Sequence, residues 1–354
     1  MGPVRGEAGP AGKTQTTAQP ATRHWLDRCT QHYIEGWSTA PNMVIAVNDG
    51  PIARITPDRP RPDLIEAGIG PGHGFGFFLP QPLWLDDVVS LHGPDGSVFR
   101  GRLSPDVDSR IRELTRHADP GRQLGLEIGA LDRPLLPKRL FRVSYLDQAS
   151  RKDLEPRYQS HGVHLPSLVE PDFVTGAASI ADVVGGRRFE YCIASHVIEH
   201  VPDMIGWLWQ IWSVLQDRGV LSLAIPHAER TFDRERRLTT LADLAESYFA
   251  RAIQPGTRQI IDALLGDALY ANADYVAASF KAFHLANHAR KTGLYCDMHC
   301  TVFTPASFAE LLRCLDRCEL LGFDVLGMHE TSSDEFFVHL GKNAAKVLPD
   351  HIRP

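Results

Sequence analysis

At 354 residues, with 43% hydrophobic side chains and a formal net charge of −6, the chain is long enough for about two domains with real cores and lacks the basic field that nucleic acid requires. Its six cysteines (Cys29, Cys192, Cys296, Cys300, Cys314, Cys318) form no CxxC pair, which argues against a disulfide framework or a zinc ribbon and fits a reducing, cytoplasmic setting. No apolar run reaches the length of a membrane span and no signal-peptide pattern opens the chain, so an unexported protein is expected.

Residues 1–22 are rich in Gly, Ala, Pro, Thr and Gln and read as a disordered tail. Residues 23–105 change to short β-prone runs, Met43–Val47 and Val88–Leu91 among them, punctuated by Asn48-Asp49-Gly50 and Gly93-Pro94-Asp95-Gly96. These hairpin signals predict a small all-β sandwich, with Trp25, Trp37, Phe75, Phe77 and Phe78 available as core and no obvious catalytic cluster. From about Asp106 to residue 345, strands and helices alternate, the mark of an α/β sheet, and residues 346–354 form a short tail.

Within this second region Leu124–Gly129 reads as a buried parallel strand ending in a glycine, and Phe141–Asp147 as a second strand with a carboxylate at its tip. Ser167–Phe173 is a short third strand and Phe189–Ser195 a clearer fourth. Asp203–Gln216, with Met204, Trp207, Leu208, Ile211, Trp212 and Leu215 at helical spacing and a stop at Gly219, predicts an amphipathic helix that leads into a fifth strand, Val220–Ile225. A largely helical insertion over about 227–300 includes Leu241–Ala252 and Gln259–Leu269. A helix at Pro305–Cys318 and two strands, Phe323–Met328 and Glu335–Leu340, close the region, the last pair predicting an antiparallel edge.

Ligands of doubly wound sheets bind beyond the carboxyl ends of the strands, where an acid at the end of the second strand grips a ribose. Asp147, twenty positions after Glu127, meets that spacing.

Over roughly Gly121–Lys342 the chain resembles the class I S-adenosylmethionine-dependent methyltransferases. The likeness is carried by Leu126-Glu127-Ile128-Gly129-Ala130, by Ala194–Asp203 and by Leu215–Pro226. Thr231-Phe232-Asp233-Arg234, and Asp297-Met298-His299-Cys300 leading into Val302-Phe303-Thr304-Pro305, are similar to a bacterial subgroup of poorly known substrate. Residues 23–105 look like a small β module that accompanies bacterial glycosyltransferases, through Ile34–Trp37, Asn48–Gly50, Arg61–Leu64 and Gly74–Phe77. Packing or docking and glycan contact both stay open for it.

The resemblance implies a Rossmann-like methyltransferase sheet and S-adenosyl-L-methionine as cofactor. Glu127 would orient the methionine amino group while Gly129 and Ala130 let backbone pass close by, and Asp147 would accept from the ribose hydroxyls. Asp172 would take the adenine amino group, the Phe173 amide a ring nitrogen, and Ser195 and His196 would lie beneath the sulfonium. His299, oriented by Asp297 on an alternating strand, is the candidate base for a hydroxyl acceptor, and Arg230, Asp233 and Arg234 would line the acceptor site. One departure stands out: Leu131 occupies the place of the family's second glycine, and Pro134 and Pro137 disfavour a full first helix.

Each of these residues has a plainer reading. Asp172 could be a solvated cap, His299 a buried anchor, and Arg230, Asp233 and Arg234 a surface charge cluster. His196 and His200, and likewise His284 and His288, share the i, i+4 spacing of a metal pair, but the sequence places no third ligand and no metal is expected. The expected function is methyl transfer to an acceptor such as a sugar or glycolipid hydroxyl. The alternatives are a non-catalytic glycan-associated or scaffold protein with a degenerate methyltransferase fold, and an NAD oxidoreductase, which the missing GxGxxG disfavours.

Overall fold

The computed structural model describes residues 22–159 and 162–347. The expected amino-terminal tail up to residue 21 and most of the carboxyl-terminal tail lie outside the described residues. Two units separate by their contacts: the described residues up to Cys29 with Tyr33–Phe78 and Asp86–Arg102, and Thr30–His32 with Leu79–Leu85 and the chain from Leu103 onward. The first unit is therefore not the unbroken span 23–105 that the sequence suggests.

The first unit contains β1 (His24–Cys29), β2 (Tyr33–Ser38), β3 (Met43–Val47), β4 (Gly50–Ile55), β5 (Arg59–Pro60), the short helix α1 (Pro62–Glu66), β6 (His73–Phe78), β7 (Val89–His92) and β8 (Val98–Gly101). They form two four-stranded antiparallel sheets, in the orders β1-β2-β6-β5 and β4-β3-β7-β8. Asn48 and Asp49 both take positive φ (50° and 63°), the conformation a two-residue hairpin turn demands between β3 and β4. Trp37, Phe75, Ile34 and Met43 are buried as core, but Trp25 and Phe78 stay exposed, their rings tilted against Phe99 and Tyr33.

The second unit begins with α2 (Pro105–Leu114), then runs β9 (Gly125–Ile128), β10 (Val143–Asp147), α3 (Arg151–Tyr158), β11 (Phe173–Val174), α4 (Ile180–Val183), β12 (Phe189–Ser195), α5 (Met204–Val214) and β13 (Leu215–Pro226). Helices α6 (Leu241–Phe249), α7 (Thr257–Tyr270) and α8 (Tyr275–Thr292) make the expected insertion, and α9 (Pro305–Arg317), β14 (Phe323–Glu330) and β15 (Glu335–Lys342) close the unit. The seven strands lie in the order β11-β10-β9-β12-β13-β15-β14, parallel except for β15, which runs antiparallel to both its neighbours. This is the Rossmann-like sheet with an antiparallel strand that the sequence predicted.

Strand character follows burial. From Gly219 to Pro226, β13 is buried residue after residue, as a strand covered on both faces must be. Helix α5 is apolar almost all round because it sits under the sheet, capped by the Asp203 carboxylate on the Gly206 amide. Trp209, Phe189, Phe308, Phe323 and Phe336 are fully buried in the same core, each worth about 1.5–3 kcal/mol of burial.

Two elements fall short of a regular doubly wound sheet. The predicted third strand shrinks to Phe173–Val174, because Pro166 and Pro171 break the run and residues 165–167 turn into a single 3-10 helix. Between β9 and β10 there is no helix at all: residues 129–142 form an irregular loop that carries Pro134 and Pro137. Gln31 braces this loop by donating to the Leu135 carbonyl at 2.8 Å.

Candidate functional site

In the strand order, β9, β10 and β11 run outward one way and β12 and β13 the other, so the topological switch point lies between β9 and β12. At the end of β9, Gly129 takes φ 68°, and a Cβ there would meet Val197 Cγ2 at 2.7 Å. Only glycine lets the two strand tips approach so closely. Leu131 also takes positive φ, at 46°, so the backbone keeps the left-handed turn of a glycine where the side chain does not.

Glu127 is buried, and its carboxylate accepts the Leu135 and Leu136 amides at 2.6 and 3.0 Å. Burial pushes its pKa up to about 7 despite those two donors. It therefore holds the loop after β9, a role the sequence did not predict. Ala130 is buried beside it.

Asp147 ends β10 as expected. Its carboxylate accepts the Ala149 amide of its own turn at 3.3 Å and forms no salt bridge among the described residues. Burial raises its pKa to about 6, with the Ala149 and Gln148 amides working against the rise.

Asp172 lies elsewhere than predicted. Leu146 pairs with Phe173 and Asp147 with Val174, so Asp172 stands level with Tyr145, two residues short of the tip. Its carboxylate accepts the Tyr145 amide at 2.6 Å and Lys138 Nζ at 2.5 Å. It clasps β11 to β10, and Thr175 and Gly176 reach the tip in its place, bonded to the Asp147 and Gln148 carbonyls. Phe173 packs on Phe189 of the core.

At the end of β12, Ser195 Oγ accepts Arg110 Nη2 at 2.6 Å, and Arg110 also bonds both oxygens of Glu335 at 2.7 and 3.0 Å. His196, at φ 53°, places Nε2 3.0 Å from Glu335 and Nδ1 3.6 Å from Glu199. Burial opposes ionisation of Glu335, but His196 and Arg110 win and hold it at about 2. Burial likewise opposes a charged His196, and the Glu335 hydrogen bond with the Glu199 charge raises its pKa nonetheless. Arg110 on α2 and Glu335 on β15 are 225 residues apart, and no local pattern joins them.

Beyond β12 and β13 lies a second cluster. His200 Nδ1 lies 2.9 Å from Asp297 Oδ1, and Asp297 Oδ2 accepts the Tyr158 hydroxyl at 2.5 Å. Asp297 thus ties the segment after β12 to α3, the helix after β10. His299 Nδ1 lies 2.5 Å from Asp233 Oδ2, and Asp233 also holds the buried Arg236 at 2.7 Å. The two imidazoles meet edge to face, with centroids 4.8 Å apart.

The predicted pairing of Asp297 with His299 is therefore corrected. Residues 294–299 form no strand, Asp297 bonds His200, and Asp233 is the carboxylate that orients His299. Asp233 is buried at this centre rather than on an acceptor surface. Arg230 is spent on Glu330 at 2.6 Å and on the Thr331 and Ser333 carbonyls, while Arg234 lies over the Tyr270 ring and beside Glu235. His284 and His288 are exposed on α8, His284 against Phe280. Two concavities of this unit, one at residues 250–257 with Ile260, Ala286 and Arg290, the other at Leu241, Glu310 and Arg313, touch none of the strand-tip residues. No helix among the described residues is long and apolar enough to cross a membrane.

No protein-family model matches the sequence, and no curated protein matches it. Solved structures resemble it distantly. Mitomycin 7-O-methyltransferase is 11% identical with a TM-score of 0.32, covering 67% of this chain and 55% of its own. A Rhodobacter sphaeroides protein described as a zinc-dependent alcohol dehydrogenase is 13% identical with a TM-score of 0.40, covering 67% and 90%. A glycopeptide N-methyltransferase complexed with S-adenosylhomocysteine is 15% identical with a TM-score of 0.34, covering 68% and 98%. The chain spans about half the length of the first of these. At such scores the fold rests on the strand order itself: a seven-stranded Rossmann-like sheet with one antiparallel strand.

Proposed function

We propose that the second unit binds S-adenosylmethionine at the tips of β9, β10 and β12 and transfers its methyl group to an acceptor, a sugar or glycolipid hydroxyl being the class to test first. One observation carries the choice of nucleoside. The sheet keeps a carboxylate, Asp147, at the end of its second strand, where a ribose would be held, yet the connection after β9 has no helix whose N-terminus would take a pyrophosphate. S-adenosylmethionine has a ribose and no phosphate; a nicotinamide dinucleotide needs both sites. The antiparallel β15 inside the sheet supports the same choice, since the dinucleotide fold is parallel across its six strands.

Methyl transfer is an in-line displacement, so the protein's contribution is chiefly to hold acceptor and sulfonium in line. Asp147 would hold the ribose, and Gly129 would let the cofactor lie against backbone. Ser195 and His196, fixed by Arg110 and Glu335, would form the floor near the methyl group. Removal of a hydroxyl proton falls to the His200 and His299 end, where His299 is oriented by Asp233.

Incubation with methyl-labelled S-adenosylmethionine and a panel of sugar and glycolipid precursors tests the reading. Label transferred to a hydroxyl, with S-adenosylhomocysteine released in equal amount, is the expected result. No transfer to any acceptor of the panel together with no binding of S-adenosylhomocysteine would favour the scaffold reading instead.

A further inference from the structure

The geometry points to a site for a single divalent transition-metal ion held by Glu199, His200 and His299. One ligand atom from each can be chosen so that all lie within 4.8 Å of one another. A tetrahedral ion with bonds of about 2.1 Å brings its ligands to about 3.4 Å apart, a closure that side-chain rotation of roughly an ångström supplies.

The second observation is the state of Glu199. Its side chain is 2% exposed, and neither carboxylate oxygen has a hydrogen-bond partner. A buried, unsatisfied carboxylate is costly unless something positive completes it. The nearest cationic group, His196 Nδ1, stands at 3.6 Å, too long for a hydrogen bond.

The histidines are prepared in the way that ligating histidines are. Each ring turns Nδ1 to a carboxylate, His200 to Asp297 at 2.9 Å and His299 to Asp233 at 2.5 Å, which leaves Nε2 of each as the ligating atom. Carboxylate–imidazole pairs of this kind fix the ring and raise its basicity as a ligand. The backbone joins the two halves: the Glu199 carbonyl accepts the Cys300 and Thr301 amides at 2.6 and 3.2 Å, which ties Glu199 directly to the segment that follows His299. The Cys300 thiol is turned to the carbonyls of His200 and Met298, which leaves a nitrogen and oxygen donor set suited to zinc, iron or cobalt.

The sequence hid this set because its third member lies 99 positions from His200. The i, i+4 partner that the sequence offered, His196, turns to Glu335 instead. Ion binding does not depend on the methyl-transfer reading. Should that reading hold with an ion bound, the second nitrogen of each ring would be a ligand and His299 would not be the base; the ion would instead lower the pKa of an acceptor hydroxyl bound to it.

The test is calorimetric titration of the full chain, stripped with chelator, with Zn²⁺, and separately with Co²⁺ read by its visible spectrum. One ion per chain at micromolar affinity or tighter is expected, with a nitrogen and oxygen Co²⁺ spectrum lacking sulfur charge transfer. Saturating Zn²⁺ should raise the melting temperature by about 5 °C or more. Glu199→Gln, which keeps shape and removes the buried charge, should fold at least as stably as the stripped native protein and bind about 100-fold more weakly or worse. Asp297→Asn, outside the ligand set, should cost about 10- to 100-fold. No binding tighter than millimolar, or binding that both variants keep, would overturn the site, whatever the nucleoside titration shows.

Discussion

The two ends of the strand-tip row are built on different plans. On the β9–β10–β11 side the polar groups close locally: Glu127 on the amides of its own loop, Asp172 on the strand beside it, Asp147 on its own turn. On the β12–β13 side the main contacts join distant stretches: Arg110 to Glu335, His200 to Asp297, His299 to Asp233, Glu199 to the Cys300 amide. Local closure fixes these carboxylates without help from the insertion. Distant closure gives a cluster that exists only when the insertion is docked, and it gathers carboxylates and imidazoles that water would otherwise satisfy.

The contrast is sharpest in what breaks each side. Asp233→Ala removes one partner of a buried pair, leaving Arg236 with Asp262 and the His299 carbonyl, and should cost about 3–5 kcal/mol in a urea unfolding experiment; a loss under 1 kcal/mol would show that the docked insertion is not held there. Glu335→Gln weakens charge-assisted bonds to Arg110 and His196 and should cost about 2 kcal/mol by the same measurement. The β10 side answers to pH instead. Asp147 releases its proton at about 6 rather than at its ordinary 3.8, so ligand-free stability should decline as pH rises through that window. The charged form accepts from ribose, so S-adenosylhomocysteine affinity should rise about tenfold from pH 5 to pH 7, and Asp147→Asn should flatten that profile. Smallest of all is Lys138→Ala: its pair with Asp172 is more than a third exposed on both partners, so stability should change by less than about 1 kcal/mol and nucleoside affinity by less than about twofold.

The same difference decided what could be read in advance. Strands Leu124–Gly129, Phe141–Asp147 and Phe189–Ser195, helix α5 and the antiparallel closing pair were legible because burial imposes apolar runs and periods on contiguous residues. The loop after β9 was legible through Pro134 and Pro137. The third strand was not: a two-residue strand leaves no period, and its shortening moved Asp172 off the tip. Nor was the pairing of His299 with Asp233 legible, since 66 positions of insertion lie between them and the nearer Asp297 offered a simpler partner. Glu199 was not singled out either, because the cost of an unsatisfied carboxylate shows only once burial is known.

Binding of the nucleoside at the tip of β10 is the claim on which the functional reading depends. Calorimetric titration with S-adenosylhomocysteine at pH 7.5 should give micromolar affinity for the native chain and a loss of about 100-fold or more for Asp147→Ala, two charge-assisted hydrogen bonds being removed. No heat from the native chain at millimolar ligand, or equal affinity in native and Asp147→Ala proteins, would contradict it.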